Sequence, residues 1–187
     1  MIQDKSGQIL FTRQNTGLFI INTNDTTFKY ASKNEGLIDN SCIRVFQDAE
    51  EMVWVTSGNG FNVIDAKAGK LKRIQKQHGI GIGFSVMVMQ DKKGRIWLAG
   101  NGGVNIIDKK TGTVKLISVD QGLPPVTNSG MFEDKTGKFW LGNTIGQVYV
   151  YDEKASTLEL IKLAQDGNNA VVHLFFEATN GQMWIAT

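Results

Sequence analysis

Cysteine, proline and histidine are all scarce in this sequence. Its single cysteine, Cys42, has no partner for an internal disulfide, and no Cys-x-x-Cys or His-rich spacing surrounds it, so neither a disulfide framework nor a zinc module organises the chain. The two prolines cannot supply many turns; the 21 glycines, scattered singly, do so instead and point to tight turns between short strands. No apolar run approaches the roughly 18 residues needed to span a bilayer, and Met1-Ile-Gln-Asp-Lys5 lacks the basic and then apolar stretches of a secretory signal. An excess of one charge is also missing. Twenty Lys and Arg against 18 Asp and Glu over 187 residues leave a net charge of +2, which excludes a strongly basic nucleic-acid binder on composition. With 41% apolar and 20% charged residues, the composition is that of a globular protein, not of a disordered tail or a coiled coil.

What is present is a repeat. Tryptophan occurs only at Trp54, Trp97, Trp140 and Trp184, at intervals of 43, 43 and 44 residues, and one further step back reaches Leu10. The same phrase surrounds each: Asp4-Lys-Ser-Gly7, Asp48-Ala-Glu-Glu51, Asp91-Lys-Lys-Gly94 and Asp134-Lys-Thr-Gly137, with a fifth copy running from Glu177 through Gly181 to Trp184. An apolar run, Asp-x-x-Gly and a second apolar run make a hairpin. The carboxylates of Asp48, Asp91 and Asp134 can accept turn amides, and Gly94 and Gly137 supply the positive φ that closes the turn. A second turn, a third strand (61–65, 104–108, 147–152) and a more polar fourth strand (71–74, 114–117, 158–161) complete each period.

Four strands and one tryptophan in 40 to 50 residues are the signature of a β-propeller blade. Helical repeats would need apolar residues at i, i+3 and i+4, and a β-helix would need a shorter coil; neither fits. First strands at 42–47, 86–90, 130–133 and 171–176 are nearly continuous in apolar residues and are expected to be buried on both faces. The fold class expected is therefore all-β: four-stranded antiparallel blades, about four of them, in a single propeller fragment covering residues 1–187. Seventeen strands are expected after a short opening stub. This strand count suits an arc of a larger ring, whose bare blade edges would favour self-association.

Residues 91–108, Asp-x-x-Gly-x-Ile-Trp-Leu followed by Gly-Val-Asn-Ile-Ile-Asp, resemble the two-component regulator propeller repeat. That repeat belongs to the extracytoplasmic sensor regions of Bacteroidetes hybrid two-component histidine kinases. Glu35-Gly-Leu-Ile-Asp-Asn-Ser41 and Gln121-Gly-Leu-Pro-Pro-Val-Thr-Asn-Ser129 resemble its Gly-Leu-Pro-x-Asn-x linker between blades. The sequence departs from the pattern at Leu10, at Glu51 in place of a turn glycine, and at residues 79–83. The resemblance implies a periplasmic sensor of oligosaccharides, non-catalytic in itself, meeting the membrane only through the parent protein. No cofactor and no metal are expected, since no set of converging ligands can be found in the sequence.

The strict period of Trp54, Trp97, Trp140 and Trp184 assigns them to a repeated packing slot between blades. Each Asp-x-x-Gly turn offers one or two carboxylates, too few for calcium. His78 sits in a linker and His173 in a first strand, without converging partners; a propeller lyase using His173 is the enzymatic alternative. Linkers and turns between second and third strands emerge at one end of every blade. They gather Asn34, Asp39, Asn40, Asn59, His78, Asn101, Asn128, Asn143, Asn168 and Asn169 there, and amide side chains both donate and accept, which suits sugar hydroxyls. The candidate ligand-binding residues are Asn40, Asn59, His78, Asn101, Asn128, Asn143 and Asn169, with Phe84 the nearest aromatic. A scaffold that docks a protein partner or a second copy is the alternative function.

Overall fold

The computed structural model describes residues 1–75, 78–81, 85–161 and 170–187. Its first sheet holds β1 (Ile2–Gln3), β2 (Ile9–Arg13), β3 (Gly17–Ile21) and β4 (Phe28–Ala31). The second holds β5 (Cys42–Gln47), β6 (Val53–Ser57), β7 (Gly60–Asp65) and β8 (Lys70–Ile74). In the third are β9 (Ser85–Gln90), β10 (Ile96–Gly100), β11 (Gly103–Ile107) and β12 (Val114–Ile117). The fourth contains β13 (Asn128–Glu133), β14 (Phe139–Asn143), β15 (Val148–Asp152) and β16 (Thr157–Ile161), and β17 (Leu174–Glu177) pairs with β18 (Met183–Ala186) in a fifth. Each sheet is an antiparallel meander in chain order, and the predicted opening stub is itself a paired strand, Ile2 opposite Leu10. β5 contacts β9, β9 contacts β13 and β13 contacts β17, so first strands of successive sheets adjoin and the blades fan from that side.

The Asp-x-x-Gly phrase explains both the turn and the packing of the blade. Asp91 Oδ1 accepts from the Lys93 and Arg95 amides, while Oδ2 accepts from Trp97 Nε1 at 2.8 Å. Asp48 with Trp54 and Asp134 with Trp140 repeat the arrangement at 2.9 Å. One carboxylate thus fixes the hairpin and satisfies a buried indole, a pairing that the uniform six-residue spacing encodes. Glu51 takes φ +67° and still closes its turn, donating its amide to Asp48 O.

Successive blades are strapped by the residue after that aspartate. The Lys92 amide donates to Glu133 Oε2 and its ammonium to Asp134 O, and Lys135 repeats this with Glu177 and Ala178 O. Lys5 does the same with Gln47 and Ala49 O.

Burial differs from the sequence expectation in two respects. The fully buried strands are the middle ones, β6, β10 and β11, whereas β5 is only partly buried, because middle strands have a sheet neighbour on each side and first strands present one edge to the centre of the arc. Trp54 and Trp97 are buried, and Trp97 stacks on Phe139 of the next blade with ring centroids 3.7 Å apart. Trp184 is instead 63% exposed, since no sheet lies across it among the described residues, and Ala178 stands where the other copies have their aspartate. The predicted strand at 171–176 begins only at Leu174. Val172 is spent as a plug: its amide donates to Asn143 O, and an added Cβ on Gly142 would lie 2.3 Å from its Cγ1.

Candidate functional site at the linker end of the blades

Antiparallel connectivity sends the linkers and the second-to-third-strand turns to one end of each blade, and hydrogen bonds tie them together. Asn59 Nδ2 donates to Asp39 Oδ2 at 2.8 Å, joining turn to linker in the second blade. Gly102 donates to Val126 O, and Asn101 bridges to Thr127, joining the third blade's turn to the next linker. Asn34, Asn40, Asn59 and Asn101 are exposed there. Asn40 Oδ1 accepts from the Lys33 amide at 2.6 Å, which leaves its amide nitrogen without a partner among the described residues, and the Asn101 side chain likewise has none. These amides can donate to and accept from a polyhydroxylated ligand.

Two predicted members do not belong to this set. Asn128 and Asn143 are fully buried. Asn128 Nδ2 points at the Gly100 carbonyl at 3.3 Å, and Asn143 Oδ1 caps the amides of Ile145 and Gln147. Both short amides serve backbone groups at a strand end, and their burial keeps every polar atom of either side chain away from a ligand at the surface. His78 is exposed but stands apart from these amides, lining a groove between the second and third blades; its Nδ1 accepts from the Gln75 amide at 3.0 Å. Asn169, with Asn168 and Phe84, lies outside the described residues.

Sequence reasoning missed the latch that holds the linkers. Asn62 Oδ1 accepts from the Ile38 amide and Asn105 Oδ1 from the Gly81 amide, both at 2.9 Å, and both side chains are fully buried. In the next blade the register puts Tyr149 at that position and Pro124 in the linker, a residue with no amide hydrogen to donate. An asparagine inside each apolar run, Phe61-Asn-Val63 and Val104-Asn-Ile106, was the available signal. Beside the first linker, burial and the nearby Asp39 carboxylate push the Cys42 thiol up to about 11. The Ser32 hydroxyl and amide hold the Glu35 carboxyl below its ordinary value.

Successive four-stranded antiparallel blades in chain order make this chain an arc of β-propeller. Solved structures agree. It superposes on the extracellular domain of BT4673 from B. thetaiotaomicron, described as a one component system, with a TM-score of 0.81 and 18% identity, over 100% of this chain and 25% of that one. The extracellular domain of BT3049 from B. thetaiotaomicron, described as a hybrid two component system, gives 0.78 and 17%, over 99% and 25%. Virginiamycin B lyase from Staphylococcus aureus gives 0.76 and 14%, over 98% and 61%. The chain thus spans a quarter of the length of the two extracellular domains. No family model and no curated protein matches the sequence.

Proposed function

We propose that this chain is a ligand-sensing segment of a larger extracytoplasmic propeller. On this reading it is non-catalytic, periplasmic, part of a hybrid two-component sensor histidine kinase, and takes an oligosaccharide at the linker end. The observation that carries the reading is the likeness to two extracellular domains of signalling systems. The exposed amides of Asn40, Asn59 and Asn101 at one end of the blades support the ligand class. A ligand held there would favour one arrangement of sensor chains over another by the difference in its affinity for the two. Calorimetric titration of the chain with neutral oligosaccharides tests it. Saturable heat, weakened about five- to tenfold by Asn59→Ala or Asn101→Ala, is the expected outcome, each lost pair of ligand hydrogen bonds being worth about 1 kcal/mol. No heat with any oligosaccharide removes the carbohydrate claim, and a turnover abolished by His173→Ala in a folded protein replaces the reading with an enzymatic one.

The apolar face of the fifth sheet favours a second reading, self-association. Leu174, Phe176 and Trp184 are all largely exposed on it, in the position where Trp97 packs on Phe139. Light scattering tests this: a multimer that Trp184→Asp dissociates supports it, and a single-protomer mass at 100 μM, roughly the upper end of the range in which weak interfaces form, ends it.

A further inference from the structure

Two interfaces of the same kind, between the second and third and between the third and fourth blades, differ in how the slot beside the repeat tryptophan is filled. Between the third and fourth blades the outer slot is filled. Phe139 stacks on Trp97, Tyr151 lies beside both, and Lys115 crosses from the third blade to place its ammonium 2.6 Å from Tyr151 Oη and 5.3 Å from the centre of its ring. Arg95 lies over the Trp97 ring at 5.7 Å and closes the slot through both Glu153 oxygens.

Between the second and third blades the ring positions and the Arg95 position carry smaller side chains. Trp54 stands for Trp97, but Ile96 stands for Phe139 and packs in one cluster with Trp54, Ile107 stands for Tyr151, Met52 for Arg95 and Lys109 for Glu153. Lys109 crosses from the third blade to the Asp48 and Glu50 carboxylates of the second, tying the two blades at the hairpin-turn end of the groove. The result is a groove of about 260 Å³ floored by Trp54 and walled by Met52, Val63 and Ile107. Lys72, the counterpart of Lys115 by strand register, is exposed on its rim with no partner among the described residues. At the other lip, the Nδ1 of His78 accepts from a backbone amide, so its proton is carried on Nε2, a donor without a partner among the described residues.

We propose that this groove binds a small aromatic acid, a ring bearing a phenolic or carboxylate oxygen, which takes the place that the Tyr151 side chain fills one interface later. The ring would sit beside the largely buried Trp54 between Met52 and Ile107, tilted to the indole as Tyr151 is to Trp97, and its oxygen would meet the Lys72 ammonium as Tyr151 Oη meets Lys115. Both halves of the recognition are already built in the neighbouring interface: an aromatic contact with the repeat tryptophan, and a lysine that reaches over the ring to an oxygen acceptor. The site is distinct from the linker-end amides and does not depend on the sensing proposal.

The test is titration of the isotope-labelled chain with 3-(4-hydroxyphenyl)propanoate, followed by methyl resonances of Met52, Val63 and Ile107. Saturable shifts confined to these groups are expected, with a dissociation constant on the order of 0.1–1 mM for a ligand of this size. Ile107→Tyr should fill the slot from within and weaken binding at least tenfold. Ile107→Phe, which fills the same position without the hydroxyl, should do the same and serves if the tyrosine variant does not fold. Lys72→Met should weaken the acid about tenfold while leaving the affinity for neutral phenylpropanamide unchanged. The proposal is overturned if the wild-type chain shows no saturable shift at 10 mM, about ten times the weakest constant expected. It is equally overturned if a folded Ile107→Tyr or Ile107→Phe protein binds as well as wild type, or if Lys72→Met affects acid and amide alike.

Discussion

Asp91 joins the hairpin turn to the packing between blades, and removing it should show how much of the fold rests on that junction. Its carboxylate is buried and takes four hydrogen bonds: two from the Lys93 and Arg95 amides, one from Arg95 Nε at 2.7 Å and one from Trp97 Nε1 at 2.8 Å. In Asp91→Ala the turn amides and guanidinium regain water at little cost, because they lie near the surface. The indole N–H does not, since Trp97 has no exposed surface. An unsatisfied buried donor costs about 1–3 kcal/mol, and the lost charge-assisted bonds add about 1–2, giving a destabilisation of about 2–5 kcal/mol. Asp4→Ala is the internal control, because Leu10 stands where the tryptophan would be and Asp4 serves only its turn; it should cost about 1 kcal/mol. Urea denaturation followed by far-UV circular dichroism measures both. A cycle with Trp97→Phe isolates the indole bond, with an expected coupling of about 1–2 kcal/mol. Coupling below about 0.3 kcal/mol, within the error of additivity, or equal costs at Asp4 and Asp91 would refute the reasoning.

Glu51→Gly should stabilise the chain by about 0.5–1 kcal/mol, read as a raised urea midpoint, because Glu51 holds φ +67° where the other turns have glycine. Arg95 and then Lys93 depress the Glu153 carboxyl from the usual 4.5 to about 2. The stability this supplies is complete above about pH 4.5 and is lost as pH falls toward 2. With the side chain a fifth exposed, the loss should be about 1–2 kcal/mol, and Glu153→Gln should flatten the fall in urea midpoint between pH 5 and 3. Cys42 should resist iodoacetamide at pH 8 in the native chain and react once urea unfolds it, since its thiol is buried and pushed up to about 11. Gly142→Ala should cost about 2–3 kcal/mol in the same urea assay, because its methyl would meet Val172 with no room to move aside.

Local chemistry wrote the blade into the sequence. The Asp-x-x-Gly turns, the single tryptophan per period and the alternation of strands and turns are properties of segments a few residues long, so period, strand number and antiparallel meander could all be read there. The ends of strands set by distant contacts could not: β17 starts late because Val172 is claimed by Gly142 and Asn143, and both lie in another blade. The candidate site was legible in part. The common end for Asn40, Asn59 and Asn101 follows from connectivity alone, whereas Asn128 and Asn143 look the same in sequence and are removed by burial that depends on the neighbouring turn.

Sequence by itself determined that each period folds as a blade, since a carboxylate two residues from its amides and six from its indole acts within one hairpin. Tertiary structure decided what happens between hairpins. Which tryptophan is covered, which asparagine latches a linker and which slot stays open turn on the identity of residues some forty positions away, brought opposite one another only when two blades pack. The Trp97 slot is closed by Tyr151 and Arg95, and the Trp54 groove is open beside Ile107 and Met52, because packing responds to the volume and charge of both faces at once.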